Sequence, residues 1–467
     1  MSDWFYRLGR ALLNQSVRLY YRRVEVVGRE YIPTRGPGVI VANHPNSIPD
    51  AFLLASQLTS RPVHFIAKDT ITRLPVVGWL ARRFGVVGVA RALEYERQRD
   101  LARQRNQAAI DTCVPRLVAG GLLAIFGEGI STDARRLHTI RKGAMRFGYA
   151  AERAAGFRLG VVWIPVGINY SAKQHFRSDV VLRVGKPFAL RELLPDPAAH
   201  EHDVLQRGTQ RLQREVESLI VNIERDELAA LIDQLTDLLG SPAGSLAARV
   251  ERQQRIARAV QYFNVAEPDR LAAMEQGLRR YQQALRAADL SDEVVRQRHP
   301  TVALWVNLLG ALQSSALMAL NLYGWANSLV PRWTAALLRP LGRRRLAGQS
   351  ALDFTREALY GTYGGWVGAA VAFPLQIYVV TQWAVGRYGV LTAVVVSTLY
   401  GLSLIPAWRL FLRRRDILRE RFAATHNALR FLLNALPATR LQRRRRQLQR
   451  RLRGLLAAYD RQAPRAA

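Results

Sequence analysis

A histidine and an aspartate separated by five residues, His44 and Asp50, stand in the stretch VIVANHPNSIPDAFLLA, residues 39–55. An imidazole backed by a carboxylate is a general base. The carboxylate fixes the ring tautomer and stabilises the imidazolium that forms when the ring takes a proton. Such a pair suits deprotonation of an alcohol, which is a poor nucleophile until its proton is removed in the transition state. A plainer reading fits the same two residues, with His44 in an ordinary loop and Asp50 capping the helix that follows. The rest of the chain bears on the choice.

The elements that would position the pair are legible. Val39 to Val41 is an apolar β-branched run and predicts a buried strand. Asn43-His44-Pro45-Asn46-Ser47 breaks it, and Ala51 to Leu58 follows a helical pattern. His44 is therefore expected at a strand end and Asp50 in or just before the first turn of a helix. Reactive groups gather at such loops because the scaffold is rigid and the loop is open to ligand. Further strands are expected at 24–28, 62–67, 85–90, 121–126, 161–166 and 180–184. Helices are expected over 68–84, 94–118 and 144–155. Strands alternating with helices predict an α/β domain with a mixed, largely parallel sheet flanked by helices, ending near residue 190.

Size and charge bound the rest. The 467 residues suffice for two or three domains, and 68 Lys and Arg against 36 Asp and Glu give a formal charge of +32. That excess calls for an anionic partner, a nucleic acid or a membrane surface. The single cysteine, Cys113, excludes an internal disulfide framework and a cysteine-based zinc site. No cleavable signal peptide is expected. Residues 1–22 predict an amphipathic helix, lying on a membrane or packed on the domain.

Residues 191–300 are charged and helical in pattern and predict a helical extension. Composition shifts at Thr301: 301–330, 360–385 and 388–408 carry no charge. Each is long enough to span a hydrocarbon core of about 30 Å. Their flanks are arginine-rich, which predicts that 360–408 forms a transmembrane hairpin with both ends in the cytoplasm. Residues 301–330 contain Asn307, Gln313, Asn321 and Asn327, and read as a re-entrant or in-plane segment rather than a single crossing. A soluble, buried helical domain is the alternative for 301–408. Residues 409–467 form a basic helical tail, in which RLQRRRRQLQRRLR (440–453) suits anionic lipid headgroups better than nucleic acid.

Three more features belong with the His44 segment: GVVGVAR ending at Arg91, FGEGIS over 126–131, and IPVG over 164–167. In a parallel sheet all would fall at the carboxyl ends of strands, on one edge. Taken together, over roughly residues 20–190, the four blocks resemble the glycerolipid acyltransferase family. The resemblance implies transfer of a fatty acyl group from acyl-CoA or acyl carrier protein to the hydroxyl of glycerol-3-phosphate or 1-acyl-glycerol-3-phosphate. It implies no metal or bound cofactor. His44 then resembles the general base and Asp50 its partner. Arg91, Glu128 and Gly129 resemble positions associated with the phosphate-bearing substrate, and Pro165 falls in the block associated with the acyl donor.

Two departures from the family pattern stand out. Family members most often leave four residues between His and Asp. The longer gap here resembles the glycerol-3-phosphate and dihydroxyacetone-phosphate branch and its bacterial relatives, which also carry apolar segments after the catalytic domain. The third block usually reads Phe-Pro-Glu-Gly; Gly127 replaces the proline, which is expected to loosen the loop. Chemically, Arg91 can clamp a phosphate in bidentate fashion, with a surface strand-end arginine as the alternative. Glu128 suits orienting a basic neighbour, bonding a substrate hydroxyl or capping the next helix. Ser131 joins them as a substrate or capping residue, and Lys68 and Arg141 are further basic candidates. Together these features predict a multi-pass membrane enzyme with its catalytic domain on the cytoplasmic side. Other lipid acceptors, or a non-enzymatic membrane-binding role, are the alternatives.

Overall fold

A computed structural model of the chain describes residues 3–73, 75–90, 99–131, 134–173, 175–193, 200–240, 245–297, 299–315, 318–338, 340 and 356–462. The chain divides into two compact units. The first runs to Glu224 and takes in the start of the helix Leu246–Ala266 as far as Glu251; the second is built from helices after Arg225.

The first unit holds one mixed sheet. Its strands are β1 (Arg23–Val27), β2 (Gly38–Ala42), β3 (Val63–Lys68), β4 (Val87–Val89), β5 (Leu122–Phe126), β6 (Val162–Tyr170), β7 (Asp179–Val184) and β8 (Phe188–Ala189). They lie in the order β1-β7-β6-β2-β5-β3-β4, with β8 beside β6. From β6 to β4 all neighbours are parallel. β7 is antiparallel to β6, and β1 runs parallel to β7. The carboxyl ends of β2, β5, β3 and β4 therefore share one edge. Ala42 pairs with Phe126 on one side and Val166 on the other, and Lys68 pairs with Val89.

Period-two alternation sorts the central strands onto two faces. On one face Val39, Val41, Leu123 and Trp163 meet helices α5 (Arg99–Val118), α6 (Gly143–Ala154) and α7 (Glu201–Leu219). On the other, Ile40, Ala42, Ala124, Ile164 and Val166 meet α1 (Asp3–Tyr20) and α2 (Ile48–Leu53), which continues as a π turn through Leu58. Every residue of β2 is buried, as expected of a strand covered on both faces.

The unit thus runs beyond residue 190. The apolar stripe of α7 (Val204, Leu205, Leu212, Val216) is buried against the sheet, where Gly167 of β6 admits the close approach. A Cβ on Gly167 would lie 2.6 Å from the Leu219 carbonyl oxygen. Gly167→Ala is expected to destabilise the unit by about 1–3 kcal/mol, because backbone rather than a side chain must move; a thermal melt in detergent reads it.

Helix α1 packs on the domain along one side and leaves apolar residues exposed on the other. Tyr6, Val17, Leu19 and Tyr20 are buried, whereas Trp4, Leu8 and Leu12, one helical turn apart, are exposed. After β3 come a short helix α3 (Asp69–Thr72) and α4 (Pro75–Arg83). The residue following α4, Phe84, packs on Phe5 with ring centroids 5.3 Å apart, so α4 lies beside α1 and adds exposed Trp79 and Leu80.

The second unit contains α8 (Ala229–Leu239), the rest of α9 (Leu246–Ala266), α10 (Pro268–Ala287), α11 (Asp292–Val295), α12 (Pro300–Ser315), α13 (Met318–Asn327), α14 (Leu329–Leu338), α15 (Arg356–Tyr388) from Tyr360, α16 (Val390–Leu433) and α17 (Ala435–Gln462). Among the described residues two stretches are long and apolar enough to cross a membrane, Val367–Tyr388 and Val390–Leu433. The break between them falls at Gly389 (φ 81°), and α15 continues through Gly386 and Arg387. Thr381 bonds Ser397 across the pair at 2.7 Å.

Residues 300–327 do not fold back on themselves among the described residues. α12 and α13 run antiparallel along α16, with Gly310 against Arg421, Gly324 against Ala407, and Asn327 accepting from the Tyr400 hydroxyl at 2.5 Å. α17 buries Leu441, Leu448, Leu452 and Leu455. Its buried Arg445 is held by Asp292 at 2.8 and 3.2 Å.

Candidate active site

The site starts where β2 stops. Past Ala42, the Asn43 side chain takes over the strand pairing. Its Nδ2 donates to the Ile168 carbonyl (3.1 Å) and its Oδ1 accepts the Ile168 N–H (2.7 Å). This two-point clamp fixes where the chain leaves the sheet. The His44 N–H then donates to Glu128 Oε1 at 2.8 Å. The imidazole lies flat on the Phe126 ring, with centroids 3.7 Å apart and planes 10° apart.

From there the chain turns through Pro45, Asn46 and Ser47, with Ser47 in a positive-φ conformation (φ 53°). Three contacts hold the turn. Lys173 Nζ donates to the Pro45 carbonyl (3.2 Å), the Ser47 N–H to Ser131 Oγ (3.1 Å), and the Asn46 N–H to Asp50 Oδ2 (2.7 Å). The helix cap is Ser47, so Asp50 sits inside the first turn of α2 with its carboxylate directed back onto the loop. It is fully buried.

Asp50 Oδ2 stands 2.9 Å from His44 Nδ1. A carboxylate has no proton to give, so Nδ1 carries the hydrogen and Nε2 keeps its lone pair. Asp50 Oδ1 accepts the Tyr170 hydroxyl at 2.5 Å. With its ring largely covered, the imidazole has the arrangement of a general base whose tautomer and orientation are fixed from behind.

Glu128 lies beneath this pair. Its Oε1 takes the His44 N–H and its Oε2 the His138 N–H at 3.0 Å. Burial pushes its pKa up, and those two N–H bonds with the nearby histidines partly offset the rise. The segment carrying His138 is pinned by Gln213, which accepts from the Ile140 N–H, and by Asn222, which accepts from the Leu137 N–H (2.8 Å each).

Gly127 donates its N–H to the Ala42 carbonyl at 3.0 Å, which extends the β2–β5 ladder by one residue; a proline would have no N–H to give. A Cβ there would lie within 3.1 Å of Ile140 and Val41 side-chain carbons, so the loop is tight rather than loose. Gly129 adopts φ 68°, and the Arg141 guanidinium lies over it.

His44, Asp50, Glu128 and Ser131 are thus joined in one hydrogen-bonded cluster, with Gly129 beside it. Lys68 ends β3, two strands from β2 on the same edge. Pro165 lies within β6, opposite Val41, where the outer neighbour of β6 changes from β8 to β7. Its carbonyl accepts from the Gly185 N–H, so its missing N–H falls in the gap between those two strands. Arg91 falls outside the described residues. The residue before it, Ala90, has both backbone groups held by the Asn106 side chain, at 2.9 and 3.1 Å.

Tyr170, Phe126, Asn106 and the Asn43 clamp are contributions that motif reading did not single out. Among the described residues no group of three His, Cys, Asp or Glu side chains is placed to hold a metal ion. Cys113 is buried under the sheet, and burial pushes its thiol up to about 11.

The parallel part of the sheet thus carries a buried Asp–His pair at the end of its central strand. Residues 23–169 match a family model described as Acyltransferase. A chloroplastic 1-acyl-sn-glycerol-3-phosphate acyltransferase of Arabidopsis thaliana is 28% identical over 165 residues, covering 35% of this chain and 41% of that protein. A lyso-ornithine lipid O-acyltransferase of Rhodobacter capsulatus is 30% identical over 152 residues, covering 32% and 48%. The crystal structure of the 1-acyl-sn-glycerophosphate acyltransferase PlsC from Thermotoga maritima shares 20% identity over 47% of this chain and 83% of that one, at a TM-score of 0.34. The matched stretch spans 41–58% of the length of the curated relatives. Over residues 23–169 the chain is thus similar to acyltransferases that act on lysolipids.

Proposed function

We propose that this protein is a membrane-bound O-acyltransferase that moves a fatty acyl group from acyl-CoA or acyl carrier protein to the hydroxyl of glycerol-3-phosphate or 1-acyl-glycerol-3-phosphate. The observation that carries the reading is the 2.9 Å contact between His44 Nδ1 and buried Asp50 at the end of β2, inside the stretch that matches the family.

His44 Nε2 takes the acceptor hydroxyl proton as the oxygen attacks the thioester carbonyl. The tetrahedral intermediate collapses, the C–S bond breaks, and the imidazolium returns the proton to the leaving thiolate. Developing oxyanion charge needs N–H donors. Those of His44, Asn46, Ser47, Gly127 and Gly129 are already engaged. That directs attention to Glu128, Ile130 and Ser131. Arg91 is the proposed phosphate clamp, with Lys68 and Arg141 as further cations on the same edge.

Membrane attachment is supported by outward apolar residues on α15 (Val371, Leu375, Val379, Trp383) and α16 (Leu391, Val395, Leu399, Leu402), and by the exposed face of α1. The basic residues after Trp408 favour a cytoplasmic catalytic unit, with anionic lipid as the partner of the α17 arginines.

The test is acyl transfer by detergent-purified protein with labelled palmitoyl-CoA, offering glycerol-3-phosphate, 1-acyl-glycerol-3-phosphate and lyso-ornithine lipid separately. Turnover with a phosphate acceptor supports the reading, and the preferred acceptor names the step. Turnover with the ornithine lipid alone replaces the acceptor class. Arg91→Ala is expected to raise the acceptor KM by about 10–100-fold with a smaller effect on kcat, as loss of a charged hydrogen-bonding clamp does. Protein that stays soluble without detergent would defeat the membrane assignment.

A further inference from the structure

Tyr170 ends β6, which overshoots β2. Val166 is level with Ala42, and four further residues carry the strand past the sheet edge to Tyr170. The hydroxyl donates to Asp50 Oδ1 at 2.5 Å, while Oδ2 holds both His44 Nδ1 and the Asn46 N–H. The phenol therefore has one carboxylate oxygen to itself and draws on the same negative charge that steadies the imidazolium. Its place is fixed by pairing with Val180, by the Asn43 clamp on Ile168, and by the Tyr21 ring 5.8 Å away.

We propose that Tyr170 is a positioning residue for the general base, setting through Asp50 how strongly the His44 imidazolium is held. This rests on the acyltransferase reading above. Burial and the neighbouring Asp50 charge push the phenol up, so it remains a donor across the working range. Among the described residues, the other charged or titratable groups facing the pair are Tyr21, whose hydroxyl bonds that of Tyr170, Glu128 with His138 behind it, and Lys173 at Pro45. None of these groups donates to Asp50.

The experiment is the pH dependence of kcat/KM. Tyr170→Phe keeps the ring and removes the donor. Asp50 then holds the imidazolium more strongly, and the acidic limb is expected to move to higher pH by about half a unit to one unit, as loss of a hydrogen bond to the partner carboxylate does. Site-specific 3-fluorotyrosine at 170 keeps the shape and makes a stronger donor, so the limb moves to lower pH. A merely structural role would not give shifts of opposite sign. A limb that stays fixed in both position-170 variants, or moves the same way in both, overturns the proposal while leaving the base assignment intact. The base assignment fails separately, if His44→Ala turns over like wild type.

Discussion

His44→Ala is expected to lower kcat for acyl transfer by about 10²–10⁴-fold, the usual contribution of a positioned general base. Both substrate KM values are expected to stay within about threefold, because the ring takes the proton rather than holding the substrate. Folding is expected to survive. Truncation removes a ring stacked on Phe126, but the buried Asp50 carboxylate keeps the Asn46 N–H and the Tyr170 hydroxyl as donors. The main-chain bond from His44 to Glu128 does not involve the side chain. Asp50→Asn should give a similar loss for a different reason. An amide that turns its N–H₂ toward Nδ1 forces the ring hydrogen onto Nε2, where the acceptor proton must go. Steady-state kinetics on both variants, with thermal melts to verify folding, distinguish an enzyme from a scaffold that merely keeps the fold. Equal turnover by wild type and His44→Ala would sink the mechanism.

The closeness of His44 and Asp50 was legible in the sequence and their surroundings were not, for identifiable reasons. His44 and Asp50 are legible because a β-branched run, a breaker and a helical pattern occur in that order. β6 is a harder case. Its apolar run breaks off at Val166 because Gly167 follows, yet Ile168 and Tyr170 keep the period-two pattern. The glycine is there for the Leu219 backbone, a contact that no local pattern encodes. Tyr170 was lost with that strand end.

Two other misreadings have the same kind of origin. The charge of 191–300 conceals the α7 stripe that covers the sheet, so the domain looks shorter than it is. The boundary expected at residue 408 falls inside α16, because Leu412, Ala428 and Phe431 keep one side of the helix buried while the charges occupy the other. Glu128 was recognised as important, but its partners are backbone N–H groups, which every residue carries and no motif reports.

Those partners make Glu128→Leu the substitution with the largest expected effect on stability. It strands the His44 and His138 N–H groups under the site, each costing about 1–3 kcal/mol when buried without an acceptor, so about 2–6 kcal/mol in all. Glu128→Gln is the sharper probe. Its one oxygen accepts one N–H, while its N–H₂ faces the other, and about half the loss is expected.

The pH dependence has a definite sign. Burial raises the carboxyl above the usual 4.5 in the folded state. The folded state therefore holds the proton more tightly than the unfolded chain does. This group's contribution is fully present below about 4.5 and is lost as pH rises through the folded value. Glutamine does not titrate, so the gap in melting temperature between wild type and Glu128→Gln should be widest near pH 4.5 and narrow toward neutrality. A Glu128 that instead bonds the acceptor would move the acceptor KM and leave the melting temperature unchanged. The two accounts separate on a single variant, because main-chain support acts on the unit whether or not substrate is present.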